Sequence, residues 1–309
     1  LQRRLAPLGL LPLLRRRDGH PALILVPRPS PGRWAWQTNA LLFLATIVTT
    51  YVSGYLQSAG LVERGLLPSA ITGGFAYSAS LLFILGTHEM GHKLVAVRRG
   101  IDASLPYFLP MLPLPPLPGT MGAVIVTRTP APNRDSLMDL GASGPIAGFL
   151  AAILVLIYGI SRSFVITPGQ FEGLGVVPDP LLTRGLVRLI LNPPPGTDVL
   201  MHPVMYAGWI GLLVTSINLL PAGMLDGGHA VRAAFGARRH MLLSYAGVLL
   251  AVLMQAYLMA ILIALFMRRG HVGPLDDLTP LSPSRRVIGL ALIVVFVLST
   301  VVFPAAPFR

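Results

Sequence analysis

His88-Glu89-Met90-Gly91-His92 sets two imidazoles four residues apart, with a carboxylate beside the first. On a helix that spacing stacks both rings on one face, one turn apart, where they can share a metal ion. Zinc accepts imidazole nitrogen and at a reactive centre takes three protein ligands, leaving a fourth position to water. Glu89 can reach that water as general base and later protonate a leaving amine. The pattern HExxH also arises by accident in helices that bind nothing. Here it follows Ser80-Leu-Leu-Phe-Ile-Leu-Gly86, where two histidines and a glutamate are expensive unless a metal or a proton-relay partner compensates them.

A third ligand must come from elsewhere, and the absence of cysteine restricts it to histidine or carboxylate. Of the twelve acidic residues, ten fall in connections or at helix ends, and only Glu89 and Asp226 lie deep in apolar surroundings. Asp226 sits in Asn218-Leu-Leu-Pro-Ala-Gly-Met-Leu-Asp226-Gly-Gly-His229 at the end of another apolar run. Pro221 and Gly223 break that run, and Gly227 with Gly228 is expected to let the backbone turn and aim the carboxylate at the histidines. The alternative for Asp226 is a helix C-cap with an Asp-Gly turn.

The elements that must position these groups are membrane helices. The 309 residues are 53% hydrophobic and 12% charged, against roughly 25% charged in a soluble domain. The net charge of +12 sits mainly in connections between apolar runs, which argues for topology determinants and against nucleic-acid binding. Apolar segments at 39–56, 69–97, 139–160, 203–220, 241–267 and 287–303 predict an all-α polytopic membrane protein with about six transmembrane helices. The basic residues fall mostly on the N-terminal side of the membrane, which predicts a cytoplasmic N-terminus. Residues 105–118 hold six prolines among apolar residues, so they cannot be helical. With the glycine-led, β-branched stretch 119–129 they predict a short membrane-associated extended hairpin between the second and third helices. Residues 1–37 read as a poorly packed lead, with one possible strand at Leu23–Val26.

Three features carry weaker signals. His202, before Pro203, suits a gate or a helix-end hydrogen bond. His229 is placed to orient Asp226 if the two share a face. Gly144-Pro-Ile-Ala-Gly148 is a small-xxx-small pattern that permits close helix contact beside the histidine pair.

HExGH on one apolar helix and NLLPAGMLDGG about 130 residues later resemble the site-2 proteases, the intramembrane zinc metalloproteases. The phrases GTHEMGHKLVAVRRGIDASLPYFLP, GASGPIAG and HPVMYAGWIGLLVTSINLLP are similar to the branch without a PDZ domain, which includes archaeal, bacterial and chloroplast members. The resemblance covers roughly residues 39–240. It implies His88, His92 and Asp226 as ligands of one zinc per chain, Glu89 as catalytic acid and base, and Asn218 as a residue that positions substrate or stabilises an oxyanion. It implies cleavage of peptide bonds in transmembrane segments of protein substrates. The expected division is an N-terminal cytosolic lead at 1–38, a catalytic membrane core at 39–240 and C-terminal transmembrane helices at 241–309, in a prokaryotic cell membrane or a chloroplast membrane. A different class, an ion- or proton-coupled carrier built on the same His and carboxylate cluster, stays open at this point, and the sequence sets no oligomeric state.

Overall fold

The computed structural model describes residues 2–29, 35–114, 117–167, 169–170, 178–253, 257–267 and 271–301. After a single turn, α1 (Gln2–Leu5), strands β1 (Leu10–Arg17) and β2 (His20–Pro27) form an antiparallel hairpin with residue-by-residue register from Leu10↔Pro27 to Arg17↔His20. The lead is therefore more ordered than expected, and Leu23–Val26 belongs to a second strand. Asp18 and Gly19 turn the chain with φ of 50° and 83°, the left-handed pair that a two-residue hairpin needs.

Three long helices follow: α2 (Trp36–Glu63), α3 (Ala70–Arg98) and α4 (Arg134–Ser161). Each is long and apolar enough to cross a membrane. Between α3 and α4 lie β3 (Tyr107–Pro110) and β4 (Thr120–Val124), an antiparallel pair where one hairpin was expected. The chain continues through β5 (Phe164–Ile166), α5 (Leu181–Ile190), β6 (Asp198–Leu200), α6 (Pro203–Asn218), α7 (Asp226–Leu253), α8 (Tyr257–Met267) and α9 (Pro283–Ser299). Strands β5 and β6 make a third small hairpin.

Among the described residues three helices, not six, meet the length and hydropathy of a membrane span. The other expected spans fall on α6 (16 residues), on α9 (17 residues) and on a segment that the structure divides between α7 and α8. The first two are shorter than the ~20 residues a ~30 Å hydrocarbon core asks for. Helix α7 is itself two helices joined at Gly236, whose φ of 78° is outside helical space. Residues 254–256 and 302–303 of the expected spans lie outside the described residues.

Helix α4 is the centre of the packing. Its most apolar stretch is 61% buried, against 28% for α2, and it contacts α3, α6, α7 and α9. Asn133 caps it by accepting from the Ser136 N–H at 2.8 Å, with Asp135 in the first turn where a negative charge suits the helix N-terminus.

The proline-rich segment before β4 is held by side chains of the first two long helices. Asn39 donates to the carbonyls of Leu105 and Pro106, both at 2.9 Å. Thr49 donates to Gly119 O at 2.7 Å, Ser53 to Leu117 O and Tyr77 to Pro118 O at 3.0 Å. Prolines have no N–H, so the segment offers mainly acceptors, and hydroxyl and amide donors on α2 and α3 satisfy them where water is scarce.

The N-terminal hairpin docks through its backbone onto the connection before α9: Leu14 N–H donates to Leu275 O at 2.8 Å and Asp277 N–H to Leu14 O at 3.2 Å. Asp277 accepts from Arg232 at 2.7 and 2.9 Å and from Arg134 at 3.1 Å. Burial opposes its ionisation, but the guanidinium groups of Arg232 and Arg134 prevail and hold its pKa below the ordinary carboxylate value.

Candidate metal centre

His88 and His92 project from α3 toward α4 and the start of α7, and both are buried, at 3% and 5% exposure. Their ring centroids are 4.9 Å apart and their Nε2 atoms 3.2 Å apart. Asp226 opens α7 and bridges the pair: Oδ2 lies 3.2 Å from His88 Nε2 and Oδ1 3.2 Å from His92 Nε2. Asp226 therefore begins a helix and does not cap the end of one.

This donor set fits zinc. A tetrahedral site with bonds of ~2.0 Å has ligand-to-ligand edges of about 3.3 Å; the two Nε2 atoms are 3.2 Å apart, and the carboxylate offers one oxygen to each of them, also at 3.2 Å. The Nδ1 of His92 donates to Leu140 O at 2.8 Å, which fixes the ring and leaves the lone pair on Nε2. Two imidazole nitrogens and a carboxylate crowded at that spacing in a buried place call for a cation between them.

The sequence builds this pocket by removing side chains. A methyl group at Gly144 would overlap His92 Nε2 and lie 2.5 Å from two of its ring carbons, and one at Gly148 would come within 2.9 Å of His88 Nδ1. Gly91, between the two histidines, brings α3 onto Ser143 of α4, whose carbonyl would be 2.6 Å from an added Cβ. The expected close helix contact is thus a seat for both rings. Gly227 and Gly228 act in the same way, contrary to the turn expected of them. Neither has a positive φ, and an added Cβ would overlap Leu219 O at the first and come within 2.5 Å of Gly223 O at the second. They let the first turn of α7 press against the preceding chain. The turn itself is made by Gly223, with φ of 55°, and is tied to α7 by His240 Nε2 donating to Gly223 O at 3.0 Å and by Gly223 N–H donating to Ser244 Oγ at 3.1 Å.

Glu89 is also buried, at 5% exposure, with Oε1 4.0 Å from His88 Nε2. Its ligand-type atoms and those of both histidines lie within 4.8 Å of one another, but the Asp226 oxygens are nearer to the imidazoles. The carboxylate of Glu89 interacts with the backbone N–H of Ile125, directly after β4. Asn218 ends α6, with Nδ2 3.4 Å from His88 Nε2. His202 is a helix cap, accepting from Val204 N–H at 3.2 Å. The Nδ1 of His229 lies 2.8 Å from His271 Nε2, so its hydrogen bond goes to a loop histidine.

Leu140 O and Ile125 N–H were missed from sequence because backbone groups carry no residue-type signal. His271 was missed because it sits in a polar connection.

Residues 76–263 match peptidase family M50. The probable zinc metalloprotease EGY2, chloroplastic, of Oryza sativa subsp. indica is 29% identical over 315 residues, covering 94% of this chain and 55% of that protein. The Arabidopsis thaliana protein of the same name is 27% identical, covering 94% of this chain and 54% of its own length. The probable zinc metalloprotease EGY1, chloroplastic, of Arabidopsis thaliana is 30% identical over 236 residues, covering 68% of this chain and 42% of that protein. The chain spans about half the length of the curated relatives it matches. No solved structure matches it. These relatives are named chloroplastic, which gives no support to the expected prokaryotic membrane. With more than half of its length matched and an HExxH helix meeting a distant aspartate, the chain belongs to peptidase family M50, the site-2 protease family.

Proposed function

We propose that this chain hydrolyses peptide bonds within membrane-spanning segments of protein substrates, using one zinc ion held by His88, His92 and Asp226. The observation that carries the reading is the meeting of those three residues at mutual distances of 3.2 Å, with Glu89 beside them. The carrier alternative finds no support in the comparisons, whose relatives are named zinc metalloproteases. All of these residues fall within the proposed catalytic core, 39–240, between the lead at 1–38 and the C-terminal helices at 241–309. The six apolar segments are proposed to lie in the membrane, α6 and α9 as short spans packed on α4, with the N-terminus on the cytosolic side.

Bound zinc would polarise the scissile carbonyl and acidify water. Glu89 takes a proton from the attacking water and passes it to the departing amine, so its burial in an apolar pocket suits both steps. Asn218, whose Nδ2 lies 3.4 Å from His88 Nε2, is proposed to donate to the negative charge that develops on the carbonyl oxygen.

Purified protein is expected to carry about one zinc per chain, and Asp226→Ala to lose most of it by metal analysis. Full occupancy in that variant, with loss in His88→Ala, would remove Asp226 from the ligand set.

A helical substrate must unwind before attack, which exposes N–H and C=O groups that are costly in lipid unless paired. The edge of β4 is proposed to take the unwound strand. Val126 is already paired within the hairpin, since its N–H donates to Ser104 Oγ and its carbonyl accepts from Ser104 N–H, both at 2.9 Å. By the two-residue alternation of a strand, the N–H groups of Ala123 and Ile125 face the other edge, where Glu89 lies. Ala123→Pro is expected to keep zinc and lose cleavage of a helical substrate, while a short unstructured peptide is still cut. Equal losses on both substrates would reject strand pairing.

A further inference from the structure

The end of α3, the first half of α4 and the start of α9 enclose a groove of about 650 Å³ outside the metal centre. Its floor is one face of α4. Asp139, Ala142, Ser143, Ile146, Ala147 and Leu150 line it, and their spacing by three and four residues makes one continuous stripe. At 1.5 Å per residue the stripe is about 16 Å long. Ala142, Ser143 and Ala147 keep the floor low, and Val95 and Ile288 supply apolar walls.

One end of the groove is strongly basic. Arg98 and Arg99 line it where α3 ends. Asp139, the acid in the groove, is held by Arg99 and by Arg285, the latter at 3.2 Å through both carboxylate oxygens. Arg98 is exposed and has no ion-pair partner among the described residues. Two guanidinium groups thus hold one carboxylate, with Arg98 exposed beside them, at the mouth of an apolar trough whose main walls, α3 and α4, are of membrane-crossing length.

We infer that this groove binds one anionic phospholipid, with the phosphate at Arg98 and Arg99 and an acyl chain along the α4 stripe. The charge at the mouth selects the headgroup, as a basic pocket between membrane helices does. The length and apolar character of the floor suit a hydrocarbon chain. A polar ligand would leave the floor unmatched, and an apolar helix would bury Arg98 without a partner. The site also touches the metal centre. Ser143 donates through Oγ to Leu140 O at 3.0 Å, the carbonyl that holds His92 Nδ1. A lipid on this face therefore braces the α3–α4 crossing that presents His92.

The test is native mass spectrometry of the full chain, titrated in detergent with phosphatidylglycerol or phosphatidylcholine. The expected result is one phosphatidylglycerol per chain, bound at least about tenfold more tightly than phosphatidylcholine. Arg98→Gln is expected to weaken phosphatidylglycerol roughly fivefold and leave phosphatidylcholine unchanged. Leu150→Trp, a change at a lipid-exposed position that fills the trough without altering charge, should weaken both lipids. Equal affinity for the two lipids, or unchanged binding in both variants, overturns the proposal. Complete displacement by inorganic phosphate would reassign the mouth to a soluble anion, and a dimer mass that disappears on adding lipid would reassign the groove to a second copy. The readout is bound mass, so it stands apart from the hydrolytic reading.

Discussion

Glu89→Gln protein is expected to bind zinc like the parent and to cut a transmembrane substrate about a thousandfold more slowly, within the range that a positioned general base contributes. The substitution keeps the size and the hydrogen-bonding reach of the side chain while removing its ability to accept a proton. Glu89 Oε1 stands 4.0 Å from His88 Nε2, farther than either contact made by Asp226, so the metal set should survive the change. Metal analysis paired with gel-based cleavage separates the two roles. Turnover within tenfold of the parent would show that another group takes the proton. Zinc loss in this variant would move Glu89 into the ligand set.

Gly144→Ala should be nearly as damaging, from a single methyl group. The added carbon would overlap the His92 imidazole, and the ring has little freedom to retreat because Nδ1 is bound to Leu140 O. Withdrawal of helix α3 would open the close contact that Gly91 makes with Ser143. Overpacking of this kind typically costs about 1–3 kcal/mol, and here the distortion falls on a metal ligand. The variant is expected to lose most of its zinc and its cleavage activity together. Gly148→Ala meets His88 Nδ1 at 2.9 Å and should show a milder loss. Gly86→Ala lies on the same helix as the histidines with nothing within 4 Å of its added carbon, so it should retain zinc and serve as the control. The order of zinc content, Gly86→Ala above Gly148→Ala above Gly144→Ala, is the test. A Gly144→Ala protein with full zinc would mean that the seat is looser than the glycines imply.

The meeting of His88, His92 and Asp226 was legible because helical spacing is written directly into sequence, and because a carboxylate amid apolar residues stands out. The small residues of Gly144-Pro-Ile-Ala-Gly148 announced a close contact. Only the fold specifies that the contact is with the two imidazole rings. Gly227 and Gly228 were read as a turn since glycine signals both left-handed backbone and close approach, and sequence does not separate the two. The count of spans was less legible: an apolar run such as 241–267 predicts burial, but it does not say where the helix is interrupted. The N-terminal hairpin was hard to read despite the turn signal Asp18-Gly19, because its first strand, Leu10–Arg17, ends in three arginines and shows no apolar alternation to match Leu23–Val26.

The proline-rich segment constrains how this protein can vary. Its carbonyls lean on hydroxyls that have a second home: Thr49 Oγ1, besides reaching Gly119 O, lies 3.2 Å from the carbonyls of Ala45 and Thr46 in its own helix. If Pro118 became Ala, the chain would gain an N–H that needs an acceptor of its own where water is scarce. The prolines and the polar residues of α2 and α3 are therefore expected to change together during divergence. Loss of one proline would favour a new acceptor nearby, and loss of a hydroxyl would favour a shift of the segment toward water.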